Sequence, residues 1–205
     1  GEDRARAIEA IRKLSKDGMP AAMHAEATWL FSGSLESPDP DRGRTLLKEA
    51  ANRNYPPALY EYGLMHVRGN GVEMNQQRGL NLIRDASKRG NTSAQFFLGS
   101  SYESGSLVER DLNQAMSQFQ LCAARAVPLC QYRLAKLLLD KPKRKEGDLL
   151  QAVAWLQLAA GHGVEDAHRA LNEALPHCTP EQLSQIDRLR PALERPPLQI
   201  GRSIE

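Results

Sequence analysis

The sequence lacks a long apolar run and has almost no excess of one charge. No stretch of its 205 residues approaches the ~20 consecutive apolar residues that a membrane-spanning helix needs. The formal net charge is only +2, so bulk electrostatics do not favour nucleic acid or an acidic membrane surface as a partner. With 41% hydrophobic and 25% charged residues, the composition is ordinary for a folded domain. We expect no transmembrane segment and no nucleic-acid partner.

The sequence also lacks the motifs that are typical of active sites. It contains no H-E-x-x-H, no G-x-S-x-G and no phosphate-binding glycine loop followed by lysine. Acidic residues are distributed singly along polar faces, whereas acid–base catalysis needs them positioned together. His162, His168 and His177 lie near Cys178 in the chain, but their spacing fits no standard ligand set. We expect a protein that is not an enzyme and that has no cofactor or metal.

Two segments of the chain are similar to one another at a distance of 36 residues. Residues 58–90 read ALYEYGLMHVRGNGVEMNQQRGLNLIRDASKRG, and residues 94–126 read AQFFLGSSYESGSLVERDLNQAMSQFQLCAARA. A fixed period of this length is typical of proteins built from stacked structural repeats. The small residue that opens each unit, called the anchor below, recurs at intervals of 36, 36, 36 and 37 residues: Ala22, Ala58, Ala94, Cys130 and Ala167.

Each unit predicts two helices joined by a tight loop. Apolar residues recur every three or four positions over about 58–68 and 76–89 of the second unit. Asp111 stands where a helix N-cap belongs, and Gly90 and Asn54 stand where a left-handed residue ends a helix. One helix pair cannot bury its apolar face alone, so neighbouring units must stack. We therefore predict an all-α protein, an α-solenoid of about four to five repeats of stacked antiparallel helix pairs.

Both ends of the chain depart from the repeat. Residues 1–18 fit the second helix of an earlier, truncated unit, and the solenoid is predicted to run to residue 178. Thr179-Pro180-Glu181-Gln182 is typical of a helix start and predicts a capping helix over 179–194. Residues 195–205 are predicted to be a flexible tail. The apolar side of the capping helix is predicted from Leu183, Ile186, Leu189 and Leu193.

The third unit carries a family resemblance. Its pattern A-x3-L-G-x2-Y-x2-G, followed by a capping aspartate, resembles the Sel1-like repeat, a relative of the tetratricopeptide repeat. The second unit departs from this pattern at His66 and Asn75, and the first and fourth have the atypical loops SLESPDPDRG and DKPKRKEGD. The resemblance implies a scaffold for protein–protein interaction and names no partner. The matching residues of the third unit are Ala94, Leu98, Gly99, Tyr102, Gly105, Val108, Asp111 and Ala115.

Two of the three cysteines occupy partnered positions of the repeat. Cys122 ends one unit and Cys130 is the anchor of the next, so both lie on facing surfaces of adjacent helices. The chain resembles the cysteine-rich secreted branch of Sel1-like proteins, in which a disulfide joins these two positions. Alternatively, both are small residues in small slots, as alanines are in the other units. A bridge favours an oxidising compartment, so we expect a periplasmic protein, or a cytoplasmic one if the cysteines are reduced.

The N-terminal stretch and the third cysteine add little to this expectation. The segment GEDRARAIEA has neither the apolar region nor the cleavage pattern of a signal peptide. It begins within a helical pattern, so a signal sequence removed upstream is compatible with it. Cys178 is left over and is interpreted as a partly buried free thiol.

The first helix of each unit is expected to line the concave side of the solenoid. Two positions after the anchors lie mostly aromatic residues, and six positions after them lies a mixed row that ends at Glu173. Protein interfaces favour aromatic residues and arginine, although the aromatics could instead pack between units. Thr28, Arg68 and Glu103 are expected to be solvated and free for a partner. The predicted partner-binding residues are His24, Thr28, Tyr60, Leu64, Arg68, Phe96, Ser100, Glu103, Tyr132, Lys136 and Arg169.

The basic loop in the fourth unit is a second candidate surface. It contains Lys141, Lys143, Arg144 and Lys145, which could meet an acidic partner or form an ordinary solvated loop. The second interpretation is the simpler one.

These observations favour binding over chemistry. We predict a monomeric scaffold of the bacterial envelope that binds a protein or peptide in its concave groove. The family resemblance also allows an immunity protein against a type VI secretion phospholipase, or an assembly factor for exopolysaccharide export or a flagellar motor. The contrasting alternative is a weak hydrolase, which would need a convergent polar cluster in the groove.

Overall fold

The computed structural model describes residues 2–34 and 37–194, which contain eleven α-helices, a short 3₁₀ helix and no strand. The chain divides into two compact units, Gly1–Ala94 and Gln95–Glu205. The expected tail at 195–205 lies outside the described residues. The all-α repeat architecture predicted from the sequence is confirmed.

The first unit contains five complete helices: α1 (Glu2–Lys16), α2 (Pro20–Ser32), α3 (Pro40–Asn52), α4 (Pro56–Arg68) and α5 (Gln76–Lys88). Helix α2 packs against α3 and α4 packs against α5, while α1 packs on α2 and α3 on α4. The core of the unit is formed by side chains such as Leu30, Leu47 and Ile83, which have at most 1% of their surface exposed. The partial unit predicted at residues 1–18 corresponds to α1.

A glycine contact lets α4 and α5 approach closely. A Cβ placed on Gly79 would lie 2.6 Å from the carbonyl oxygen of Gly63, and one on Gly63 would lie 2.9 Å from the carbonyl oxygen of Gly79. Both distances are shorter than a van der Waals contact, and the opposing atoms belong to the backbone. Only glycine therefore fits at either position at this helix separation.

The helices of the second unit are α6 (Thr92–Ser104, which begins before the boundary of the unit), α7 (Leu112–Ala123), α8 (Pro128–Leu139), α9 (Glu146–Gly161), α10 (Glu165–Ala174) and α11 (Pro180–Glu194), with the 3₁₀ helix at Leu175–His177. The unit is built around α9, which is buried along most of its length. Helices α8, α10 and α11 all pack on it, and α7 packs on α8. Phe119, Leu156 and Ile186 are fully buried.

The helix α11 begins at the predicted capping residues. The backbone N–H of Thr179 donates to the side chain of Gln182, and the backbone N–H of Gln182 donates back to the hydroxyl of Thr179. This reciprocal pair is a capping box. Ile186 is fully buried in the core, with Leu189 packed against it. The prediction was wrong for Leu183, which lies in the first turn of α11 and is exposed.

The loop between the two helices of a unit closes in the same way in three units. The N-cap residues Asp39, Asn75 and Asp111 each accept a backbone N–H from the following turn. The backbone N–H of each also donates to a carbonyl of the preceding helix, at 2.8–3.0 Å. The first loop therefore keeps the closing geometry although its sequence is atypical. Asparagine replaces aspartate at position 75 without loss, because both side chains supply the same acceptor oxygen.

The fourth unit closes its loop with a different acceptor. The carboxylate of Asp148 accepts the backbone N–H of Lys145 at 2.9 Å and the ammonium group of Lys141 at 2.7 Å. These two hydrogen bonds, that of Lys141 first, lower the pKa of the Asp148 carboxyl. The side chain of Lys141 is therefore bound to the first turn of α9. This residue of the basic loop stabilises the loop and is not free to bind a partner.

The second helices of the four units, α3, α5, α7 and α9, are each followed by a residue with a left-handed backbone. Gly90 and Gly163 have φ of 85° and 82°, and Asn54 has φ of 60°, as the sequence predicts. The equivalent residue after α7 is Ala126, with φ of 57°. A Cβ makes this conformation unfavourable, so Ala126 is held there by the turn around it.

Replacing Ala126 with glycine is expected to stabilise the protein. Glycine removes the Cβ clash of the left-handed conformation, and we expect the free energy of unfolding to rise by about 1 kcal/mol. The control is Ala124→Gly, two residues earlier, where φ is −62° and alanine is unstrained. That change is expected to lower the free energy of unfolding by about 0.5–1 kcal/mol. Urea unfolding followed by circular dichroism measures both, and equal effects would contradict the assignment.

Candidate protein-binding cleft

A surface cleft of about 320 Å³ opens between α8 and α10 in the second unit. These are the first helices of consecutive repeats. Residues two and six positions after an anchor lie one turn apart on the same helix face, so they can line one surface. The cleft contains four such residues, two from each helix: Tyr132, Lys136, Arg169 and Glu173.

The floor of the cleft is apolar. Tyr132, Leu139 and Ala170 line it, and each is half-buried and packed against the core of the unit. Because these side chains are already held by the core, they lose little conformational freedom when a ligand covers them, which lowers the entropic cost of binding.

The rim of the cleft is charged and exposed. Asp166 forms an ion pair with Arg169 one turn along α10. Within the described residues, the side chains of Lys136, Asp140 and Glu173 have no ion-pair partner. The cleft therefore combines an apolar centre with charges of both signs at its edge that have no ion-pair partner in the part of the chain that the structure describes.

The structure brings three of the predicted binding residues into this cleft. Tyr132, Lys136 and Arg169 come together because they occupy the same repeat positions on neighbouring first helices. The other five lining residues were not among the predicted binding residues, and of these only Glu173 belongs to the row six positions after the anchors: Leu139, Asp140, Asp166, Ala170 and Glu173. Leu139 lies seven residues after Tyr132, and this two-turn spacing on one helix could have found it.

The predicted residues of the first unit make contacts of their own. The Nε2 atom of His24 lies 3.0 Å from the carboxylate of Glu61, and its ring packs edge-on against Tyr55 at 5.5 Å. The hydroxyl of Thr28 is exposed and donates to the carbonyl of His24. His24 therefore joins α2 to α4, which agrees with the alternative in which these residues pack between units.

Tyr60, Leu64 and Arg68 follow one another along α4. Tyr60 and Leu64 are half-buried, and Arg68 is exposed. Burial raises the pKa of the Tyr60 hydroxyl, and the positive charge of Arg68 opposes this effect. Of these three side chains, only that of Arg68 is exposed at the surface of the first unit, and those of Tyr60 and Leu64 are partly covered.

One prediction in the second unit was wrong. Glu103 was expected to be free for a partner, but it forms an ion pair with Arg133 of α8. The guanidinium of Arg133 also lies over the ring of Phe119, 5.9 Å from its centroid. The pair exists because the next repeat supplies an arginine opposite Glu103, which no spacing within one repeat can reveal.

The remaining two predicted residues, both on α6, are half-buried. The ring of Phe96 packs on that of Phe119 with centroids 5.9 Å apart, so it belongs to the core contacts of the unit. Ser100 lies one turn further along the helix.

Cys122 and Cys130 form a disulfide in the structure. Their sulfur atoms are 2.00 Å apart and their Cα atoms 5.8 Å apart, and both residues are fully buried. The bridge joins the end of α7 to the start of α8, the helix that forms one wall of the cleft. Cys178 is a half-buried free thiol whose pKa is raised by burial.

Two further features bear on function. Within residues 2–34 and 37–194, no helix is both long and apolar enough to cross a membrane. In the same residues, no three or more His, Cys, Asp or Glu side chains gather into a possible metal site.

The stacked helix pairs and their repeated loop geometry define an α-solenoid repeat protein. More particularly, the Sel1 repeat profile matches residues 20–55, 56–91, 92–120 and 128–164. These matches cover more than half of the chain, which therefore belongs to the Sel1 repeat family. No curated protein is significantly similar in sequence to the chain.

Several solved structures share the fold. A Sel1 repeat protein from Oxalobacter formigenes has a TM-score of 0.72 at 20% identity, over 91% of this chain and 78% of that one. The protective antigen c5321 of uropathogenic Escherichia coli has a TM-score of 0.56 at 17% identity, over 91% and 48%. The immunity protein Pa5087 from Pseudomonas aeruginosa has a TM-score of 0.43 at 20% identity, over 76% and 73%. The first two share the solenoid fold, and the third likeness is too low to support an argument.

Removing the disulfide is expected to destabilise the second unit. The double variant Cys122→Ala/Cys130→Ala should lower the free energy of unfolding by about 2–3 kcal/mol, because the short closed loop no longer restricts the unfolded chain. Alanine is the residue at the equivalent positions of other units, as at Ala86 and Ala94, so packing should change little. Urea unfolding without reductant measures the effect, with Cys178→Ala as the control. A double variant as stable as the parent would contradict a structural role for the bridge.

Proposed function

We propose that this Sel1 repeat protein is a non-enzymatic scaffold of the bacterial envelope that binds a protein or peptide segment in the cleft between α8 and α10. Sel1 repeats indicate a protein–protein interaction scaffold. The observation that carries the choice of site is the convergence of Tyr132, Lys136 and Arg169 on one cleft.

The composition of the cleft supports a binding role. Its centre has a half-buried tyrosine and its rim has an arginine, and these two residue types dominate the binding energy of many interfaces. The volume of about 320 Å³ is at the lower end of the range for ligand pockets. It therefore suits a short segment of a partner better than a bulky domain.

The disulfide supports a location of the protein in the bacterial envelope. Structural disulfides persist in the periplasm and outside the cell, whereas the cytosol keeps most thiols reduced. The bridge between Cys122 and Cys130 is fully buried, so it fixes the start of α8 when it is oxidised. A cleft wall held in this way is favourable for binding, because less of the wall must be ordered by the partner.

Binding in the cleft can be tested with a displayed library of random twelve-residue peptides. The oxidised protein is immobilised, enriched peptides are synthesised, and their Kd values are measured by fluorescence anisotropy. We expect Tyr132→Ala to weaken binding about tenfold or more, because loss of a central aromatic contact costs at least about 1.4 kcal/mol.

The comparison variant is Tyr60→Ala, which removes the aromatic residue at the same repeat position of the first unit. Its Kd values should equal those of the parent protein. Thermal unfolding of both variants checks that they remain folded. Peptides that lose affinity with Tyr60→Ala and keep it with Tyr132→Ala would move the binding site to the first unit and contradict the proposal.

The compartment can be tested by trapping thiols in the native host. Cells are treated with an alkylating reagent at harvest, and the intact mass of the protein is measured before and after reduction. In an oxidising envelope we expect one alkylated thiol, Cys178, and two more only after reduction. Three alkylated thiols before reduction would indicate a reducing compartment and would contradict the envelope assignment.

A further inference from the structure

The two walls of the cleft carry opposite charges. Lys136 on α8 and Glu173 on α10 occupy the same position of consecutive repeats, six residues after the anchors Cys130 and Ala167. Both are exposed. Among the described residues, neither forms an ion pair with the other or with any third residue. Among the described residues, the facing walls therefore carry one unpaired cation, Lys136, and one unpaired anion, Glu173, while the unpaired Asp140 lies one turn after Lys136 on the α8 wall.

A basic loop follows the α8 wall. Asp140, on the same wall, is followed directly by the basic loop. The guanidinium of Arg144 in that loop donates to the carbonyl of Leu139, a residue of the cleft floor, at 3.3 Å. Arg144 thus adds a positive charge next to the backbone of Leu139, at the end of the α8 wall.

The α10 wall keeps a negative character. Its one arginine, Arg169, is neutralised by Asp166 through their ion pair. Among the described residues, Glu173 on this wall has no ion-pair partner. Opposite charges on two walls with an apolar floor between them select for an occupant with the complementary pattern.

We infer that the occupant of the cleft is an extended peptide segment that presents a carboxylate to Lys136, a basic group to Glu173 and an apolar side chain to Tyr132 and Leu139. Successive side chains of an extended segment point to opposite sides, so one segment lying along the cleft can address both walls. This inference rests on the proposed function, because it names the chemistry of the partner for that same cleft.

The charge pattern is tested by selecting the same peptide library on the parent protein and on charge-reversed variants. The parent should enrich peptides that carry an acidic and a basic residue beside an apolar one. Lys136→Glu should lose the preference for the acidic residue, and Glu173→Lys should lose the preference for the basic one. The control is Lys48→Glu, an exposed charge reversal on α3 of the first unit, which should leave the selected sequences unchanged.

A charge exchange provides the sharper measurement. One selected peptide and its counterpart, with acidic and basic residues interchanged, are measured against the parent and against Lys136→Glu/Glu173→Lys. We expect the parent to bind the selected peptide at least about fivefold tighter, and the double variant to prefer the interchanged peptide by a similar factor. A double variant that keeps the preference of the parent would overturn the inference.

The outcomes separate this inference from the proposed function. Peptides that depend on Tyr132 but show no acidic or basic preference would leave the cleft as the binding site and would overturn the charge pattern. If no enriched peptide depends on Tyr132, both the proposed function and this inference are wrong.

Discussion

The close approach of helix backbones at small residues is the constraint on which the rest of this structure depends. The anchors after the first are fully buried, and so are the small residues at Ala50 and Ala86, which end second helices. At the Gly63–Gly79 contact even a Cβ would meet backbone atoms. Only small side chains fit where the helices are this close. The repeat is therefore visible in the sequence at these positions, while the residues of the polar faces vary.

Loop closure depends on the backbone more than on loop sequence. Asp39, Asn75 and Asp111 each close a loop with one side-chain acceptor and one backbone donor, although the residues between the helices differ widely. The fourth loop uses Asp148 instead and recruits Lys141. Because only one acceptor near the helix start is required, the loops can diverge without disturbing the helix pairs.

Residues at equivalent repeat positions make different contacts along the chain. The sequence pattern alone therefore does not identify which of them form the candidate site. Two positions after the anchor, His24 is paired with Glu61 and Phe96 packs on Phe119, while Tyr132 lines a cleft. The periodicity places all of these residues on the first helices. Whether such a side chain packs within the protein or remains available to a partner depends on the side chain that the next repeat places opposite it.

The sequence by itself determined the fold class, the helix pairs, their capping residues and the partnered positions of Cys122 and Cys130, because each of these depends on local periodicity or on a single residue type. Tertiary structure alone decided which surface residues remain available. Arg133 forms an ion pair with Glu103, whereas Lys136 has no ion-pair partner among the described residues. Ion pairing and burial depend on distances between residues of different repeats. Those distances follow from helix packing, which the one-dimensional pattern does not contain.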